Sequence, residues 1–183
     1  MFWWHKRKTE HPLAAELSQI PAYPPELFTR HSIAIGGLSE IGFSRQYPHL
    51  LLVISSSGRG VIDCRNGEKI ARDTEAYGEW YDPILLTCKG IGPLIDETVT
   101  ISGQCGGGLP LCNHRGETLT RVAPGWPEET LFWNAVGQDV LYDKFRQNCY
   151  KLTTDYFHSA GYSWNGEFIV SATSSDLTIW QKN

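Results

Sequence analysis

Hydrophobic and polar residues alternate at the period of β-strands from Ser32 to the end of the chain. The apolar runs are rich in β-branched and aromatic residues, and glycine, proline, asparagine and aspartate separate them, which is typical of short strands joined by turns. We therefore predict an all-β fold of antiparallel sheets. The predicted strands cover residues 38–43, 50–55, 60–64, 68–72, 83–88, 97–102, 108–112, 118–123, 130–134, 149–153, 157–162, 167–173 and 176–181.

Two stretches depart from this period and predict short helices. Residues 10–20 place apolar side chains at helical spacing before Pro21, and residues 137–147 suit a second short helix. Residues 21–28 predict an extended connector, because each proline biases the residue before it away from helix. We expect the aromatic residues at positions 2–4 to fold back onto the domain. The predicted organisation is an N-terminal helix and extended connector at 1–31, followed by a single β-rich domain at 32–183.

The sequence of residues 42–64, which predicts a β-hairpin, is repeated with changes at residues 161–180. The Asn-Gly dipeptide that two-residue hairpin turns prefer follows the first copy at Asn66-Gly67 and lies inside the second at Asn165-Gly166. A repeated unit constrains the architecture, so the chain contains two similar antiparallel hairpins. The aligned positions include Ser44 with Ser163, Val53 with Val170, and Ile62 with Ile179.

The second copy carries the sequence of a known repeat unit: Gly161-Tyr162-Ser163, Phe168-Ile169-Val170, Ser174-Ser175-Asp176 and Leu177-Thr178-Ile179-Trp180. With these residues the two copies resemble WD-repeat blades of β-propellers. The first copy has Ile62-Asp63-Cys64 where the tryptophan would stand, and neither copy has the Gly-His pair of that family. The resemblance implies blade-like sheets. At about 40–45 residues per blade the β-rich part gives three or four blades, so we expect an incomplete or minimal β-propeller, with a β-sandwich as the alternative.

Composition narrows the class of protein. The chain has 183 residues, enough for one well-packed domain. Its net charge of −4 argues against a broad nucleic-acid surface. Five cysteines, an odd number, without a secretory signal indicate free thiols in a reducing compartment. No apolar run approaches the roughly 20 residues that span a bilayer. We therefore predict a cytoplasmic, soluble protein without a membrane span and without direct nucleic-acid binding.

One segment resembles a nucleophile site. Residues 103–107 fit the pattern G-x-C-x-G, in which a strand-to-helix turn exposes a nucleophile, here Cys105. The residues that follow include Pro110 and predict no helix, so we favour a glycine-rich bend that allows close approach of two backbones. A cysteine-dependent hydrolase that uses Cys105 with His114 or His158 is the alternative function.

Cys105 also lies near other residues of the types that bind metal ions. Cys105, Cys112 and His114 are close in sequence, and Cys88 or Cys64 could supply a fourth ligand. Structural zinc sites have paired cysteines two to four residues apart, and this chain lacks that spacing. We therefore predict no metal and no cofactor, and interpret the cysteines as small apolar residues with free thiols.

The segment with the strongest binding character is the stretch from Arg72 to Asp82. Aromatic side chains supply anchors at interfaces, and carboxylates are complementary to a basic partner. The other interpretation of this stretch is a solvated loop whose aromatic residues turn into the core. The predicted partner-binding residues are Asp73, Glu75, Tyr77, Glu79, Trp80, Tyr81 and Asp82.

These features favour a non-enzymatic protein-binding module. Its narrower form is an immunity-type protein that neutralises a basic nuclease toxin by placing the acidic and aromatic residues in the phosphate cleft of the toxin. Free sheet edges are a second feature that favours a protein partner, because an unpaired edge can be covered by another chain. Besides the binding module and the cysteine hydrolase, a third hypothesis is a scaffold whose remaining blades come from another chain.

Overall fold

The structure is a computed structural model that describes residues 12–75 and 77–183. The aromatic residues at positions 2–4 and the first part of the helix predicted at 10–20 lie outside the described residues. The rest of that helix is α1 (Pro12–Ser18), and two 3₁₀ helices cover Gly92–Leu94 and Asp143–Asn148.

Fifteen short strands are the main regular structure of the described chain. The strands are β1 (Phe28–Ala34), β2 (Leu38–Phe43), β3 (Leu50–Ser55), β4 (Gly58–Asp63), β5 (Glu68–Asp73), β6 (Tyr81–Asp82), β7 (Thr87–Lys89), β8 (Thr98–Thr100), β9 (Ser102–Gly103), β10 (Thr118–Gly125), β11 (Glu128–Asn134), β12 (Cys149–Asp155), β13 (Ser159–Tyr162), β14 (Phe168–Ala172) and β15 (Asp176–Lys182).

The strands form four open antiparallel sheets, which confirms the predicted all-β class. Their orders are β5-β4-β3-β2-β9, β6-β7-β8, β10-β11-β12 and β1-β15-β14-β13. None of the four sheets closes on itself, so each keeps two edges.

The two repeated hairpins pack against one another. The first copy contributes β2, β3 and β4, and the second contributes β13, β14 and β15. Val53 and Ile62 from the first copy share one buried cluster with Val170 and Ile179 from the second. The aligned apolar positions of the repeat therefore build the same core, and burial of those side chains holds the two sheets together.

Strand β1 differs from the prediction, which placed residues up to 31 before the β-rich domain. It begins at Phe28 and pairs with β15 from Phe28↔Lys182 to Ala34↔Asp176. Its partner lies at the other end of the described chain, so no local turn indicated the pairing. The connector before β1 is also hydrogen-bonded to the domain. Tyr23 N–H donates to Lys151 O, and Lys151 N–H donates to Pro21 O.

Three further predictions were wrong in detail. Residues 108–112 form no strand and contribute one bridge, Cys112↔Thr118, because Pro110 lacks a backbone donor. In place of the strand predicted at 83–88, residues 83–86 form a turn in which Leu86 has φ 52°, and β7 begins only at Thr87. The helix predicted at 137–147 consists of turns before the 3₁₀ helix at Asp143–Asn148.

Candidate functional site

The predicted binding segment runs from the end of β5 through the two-residue strand β6 to the turn before β7, and we call residues 73–75 and 77–85 the acidic–aromatic loop. Carboxylates shape it by accepting hydrogen bonds from nearby backbone. Asp73 Oδ1 accepts from Glu75 N–H at 2.9 Å, and Asp82 Oδ1 accepts from Ile84 N–H at 2.9 Å and Leu85 N–H at 2.8 Å. Such local bonds are the reason that aspartate favours turns over regular strands.

The inner side of the acidic–aromatic loop is anchored by Trp80, which is 5% exposed and packs in the core beside β3 and β4. The guanidinium of Arg59 lies over the indole at 4.7 Å from the ring centroid. Arg59 also donates to Asp73 Oδ2 from Nε at 3.0 Å and from Nη2 at 2.8 Å. The hydrogen bond from Glu75 and then the Arg59 pair lower the pKa of Asp73, so this carboxylate is ionised near neutral pH.

A second anchor joins Tyr81 to a buried carboxylate. The phenol of Tyr81 donates to Glu40 Oε1 at 3.1 Å, and Ser39 Oγ donates to Glu40 Oε2 at 2.5 Å. Glu40 is 2% exposed, so it depends on these donors for solvation. Burial, the hydrogen bond with Cys105 and the charge of Glu40 raise the pKa of Tyr81, which keeps the phenol protonated as a donor.

The outer side of the acidic–aromatic loop faces solvent. Tyr77 is 53% exposed, although its ring stacks on Trp80 with centroids 5.6 Å apart. Ile84 is 86% exposed and Leu85 is 71% exposed, which are high values for large apolar side chains. Glu79 is exposed on the same loop. The loop therefore combines a base anchored by buried contacts with exposed apolar, aromatic and acidic side chains.

The seven predicted partner-binding residues divide into two groups. Glu75, Tyr77 and Glu79 are exposed, whereas Asp73, Trp80, Tyr81 and Asp82 use their functional groups or rings inside the protein. Ile84 and Leu85 are not among the predicted binding residues, because their apolar side chains fit a strand. The Asp82-Pro83 pair before them, a turn signal, was the sign that could have placed them in a loop. Glu40 is not among the predicted binding residues either, because no local pattern indicated its burial.

The residues of the alternative cysteine site have other partners. Cys105 is exposed, and its sulfur is hydrogen-bonded to the phenol oxygen of Tyr81 at 3.1 Å. His158 Nδ1 donates to Leu38 O at 2.9 Å, and its Nε2 is 3.4 Å from Gln104 Nε2. His114 Nε2 donates to Trp164 O at 3.2 Å. Within residues 12–75 and 77–183, no histidine nitrogen is hydrogen-bonded to Cys105.

The glycine-rich segment around Cys105 allows close backbone approach. Strand β9 pairs with β2 through Glu40↔Gly103, and a Cβ atom on Gly103 would lie 2.0 Å from Ser39 O. Gly106 and Gly107 have φ values of 118° and 81°, which favour glycine. Within the described residues, no group of three or more His, Cys, Asp or Glu is placed to hold a metal ion.

Comparisons add no relative to this picture. Over the described part of the chain, no helix has the length and apolar character needed to cross a membrane. The chain matches no protein-family model, no curated protein and no solved structure.

Proposed function

We propose that this chain is a non-enzymatic protein-binding module of the immunity type, which neutralises a basic nuclease toxin in the cytoplasm. The observation that carries the proposal is the acidic–aromatic loop, which exposes Ile84 and Leu85 as well as the carboxylates of Glu75 and Glu79. A basic catalytic cleft is complementary to Glu75 and Glu79, and apolar side chains supply the desolvated centre that tight interfaces require.

Rigidity of the loop base supports this function. Trp80 is buried, Tyr81 is bonded to Glu40, and Asp73 is paired with Arg59. A loop that is ordered before binding loses less conformational entropy on association than a flexible one. The internal contacts of these residues therefore serve binding indirectly, by presenting the exposed residues in a fixed arrangement.

We further propose that the open sheets are blade-like units of an incomplete propeller, similar to WD repeats. Each repeated hairpin lies within a run of four antiparallel neighbours, β5-β4-β3-β2 and β1-β15-β14-β13, and propeller blades have four strands. Open edges are a second feature that favours a protein partner.

Co-expression tests the proposal. The product of the gene adjacent in the genome is expressed in a bacterial host alone and together with this chain. We expect the product to be toxic alone and harmless with the chain. A toxic product that the chain does not neutralise, or a neighbour that is not toxic, contradicts the immunity function.

Two pairs of matched variants then test the surface. Glu75→Gln with Glu79→Gln should weaken binding of the toxin and reduce its dependence on salt, whereas Glu26→Gln with Glu68→Gln changes the net charge equally at exposed positions elsewhere. Ile84→Ser with Leu85→Ser should weaken binding by about tenfold or more. Ile95→Ser, at a residue that is 66% exposed, is its control. Equal affinities for test and control variants would show that the partner uses another surface.

A further inference from the structure

A small, partly open cavity of about 20 Å³ lies over strands β3, β4 and β5, beside the core that the two repeated hairpins share. Its floor lacks a side chain because Gly60 lies between Val53 and Arg72 in the strand pairing, on the same face of the sheet. A Cβ atom on Gly60 would lie 3.4 Å from Val53 Cγ2 and 3.3 Å from Ala71 O. A side chain at this position would therefore occupy the cavity.

A β-bulge brings two cations to this cavity. Side chains alternate between the two faces of a regular strand, so Lys69 and Arg72, three positions apart, would lie on opposite faces of β5. The register of β5 on β4 skips Ile70, so the alternation shifts by one residue. As a result, both Lys69 and Arg72 line the cavity. Bulges are frequent next to functional sites because they redirect a side chain in this way.

These two cations have no carboxylate partner among the described residues. Neither Lys69 nor Arg72 forms an ion pair there, and no described aspartate or glutamate lines the cavity. Arg59 also contributes to the lining, but Asp73 balances its charge at 2.8 Å. Arg72 donates only a long hydrogen bond of 3.4 Å to Ser57 O within the described chain, so most of its donors remain available.

Serine residues supply a further donor. Ser55 Oγ donates to Gly58 O at 3.3 Å and accepts from Ser57 N–H at 3.3 Å. Ser57 also lines the cavity, and its hydroxyl forms no hydrogen bond with a described residue. A free hydroxyl together with two unpaired cations favours an anion that has several acceptor oxygens.

We propose that this cavity binds a phosphoryl dianion, either as inorganic phosphate or as the phosphate of a monoester. A phosphate monoester carries a charge of about −1.5 to −2 at neutral pH and has three acceptor oxygens, which match Lys69, Arg72 and the Ser57 hydroxyl. A carboxylate would balance only one of the two cations. The volume holds roughly one water, so one phosphate oxygen enters the cavity and any ester group stays outside.

This site goes beyond the proposed partner surface, because Lys69, Arg72 and Ser57 all lie outside the acidic–aromatic loop. Its test needs only this chain and a small ligand. The result therefore does not depend on whether the chain neutralises a toxin.

Titration of the ¹⁵N-labelled protein with inorganic phosphate and with O-phospho-L-serine tests the site, and the backbone N–H resonances of Gly58 and Gly60 are the readout. L-Serine lacks the phosphoryl group, sodium acetate supplies a single negative charge, and sodium chloride controls for ionic strength. We expect saturable shifts with phosphate and weak or no shifts with the three controls. Saturation by inorganic phosphate alone would assign the site to the free ion, and saturation by both ligands would extend it to monoesters.

Variants separate the site from general attraction of anions. Lys69→Gln and Arg72→Gln should each weaken phosphate binding about tenfold, since hydrogen bonds to charged groups contribute more than neutral ones. Lys144→Gln and Arg30→Gln remove the same charge at exposed residues outside the cavity and should leave binding unchanged. All four residues are exposed, and melting curves show whether each variant remains folded.

Three results would overturn the proposal. The first is an absent or unsaturable shift with both phosphate compounds, and the second is an equal shift with phosphate and with acetate. The third is an equal loss of affinity in the cavity variants and in their controls.

Discussion

The phenol of Tyr81 donates a hydrogen bond to Glu40 Oε1 at 3.1 Å, which joins the acidic–aromatic loop to strand β2. This contact gives the buried carboxylate of Glu40 one of the two side-chain donors that it has among the described residues. It also relates two residues 41 positions apart in a structure where most strand pairs are neighbours in sequence.

Tyr81→Phe should therefore destabilise the protein. Removing one partner leaves the other buried and unsatisfied, so we expect a loss of about 1–3 kcal/mol in the free energy of unfolding. Urea denaturation followed by tryptophan fluorescence measures it. Tyr77→Phe is the matched control, because its hydroxyl is 3.4 Å from Ser39 Oγ on a side chain that is half exposed. Equal stability of the Tyr81 variant and the control would show that the Glu40 contact contributes little.

Raising the pH above neutral should lower the stability of the protein, because buried thiols and phenols resist ionisation in the folded state. Burial raises the pKa of Cys88 and of Cys149 to about 11, and it raises the pKa of Tyr81 and of Tyr162 further above the ordinary value. The unfolded chain releases these protons first, at a pH of about 8.5 for cysteine and about 10 for tyrosine.

The sign of this effect follows from linkage. A raised pKa in the folded state contributes stability that is complete below the unfolded pKa and is lost as pH rises toward the folded value. We expect the urea midpoint to fall steadily above a pH of about 8.5. A flat midpoint up to a pH of about 11 would mean that these thiols and phenols are not protected by the fold.

Alkylation should separate the five thiols by burial. Cys105 and Cys112 are exposed, whereas Cys64, Cys88 and Cys149 are buried. We expect iodoacetamide to label only the two exposed cysteines in the native protein and all five in denaturant, as counted by mass spectrometry of intact protein. The relative rates also test the alternative hydrolase, because a nucleophilic Cys105 would react much faster than Cys112 at neutral pH.

Phe28→Ala should reveal the contribution of β1 to the C-terminal sheet. Phe28 is 3% exposed and contacts Tyr23 and Trp133 edge to face, with centroids 5.5 and 5.9 Å away. Truncation of a buried phenylalanine costs about 3–5 kcal/mol. Arg30→Ala on the same strand is exposed and should change stability by less than about 0.5 kcal/mol. Similar melting temperatures for the two variants would contradict the observed docking of β1.

Local signals account for what the sequence predicted correctly. Strands β2 and β3 have the predicted bounds, because their apolar runs are flanked by turns and pair within a hairpin. Asn66 and Asn165 lie in turns as expected. The all-β class follows from this local pattern alone.

Long-range relationships account for the rest. The pairing of β1 with β15, the burial of Glu40 and the convergence of Trp133 with Tyr162 all join segments that are far apart in sequence. The exposure of Ile84 and Leu85 could not be predicted for a different reason. An apolar pair beside a proline fits both a strand and a turn. Of the predicted binding residues, composition alone could not separate exposed Glu79 from buried Trp80.

The register of β1 on β15 also sets how the sheet responds to force. Phe28 lies opposite Lys182, so the outer ends of both strands are at the same end of the ladder. Tension applied at these two residues loads the inter-strand hydrogen bonds one pair after another, because the bonds lie perpendicular to the strands. The sheet would therefore unzip under a weak pull, whereas a pull between Phe28 and Asp176 would shear all the bonds together and meet much greater mechanical resistance.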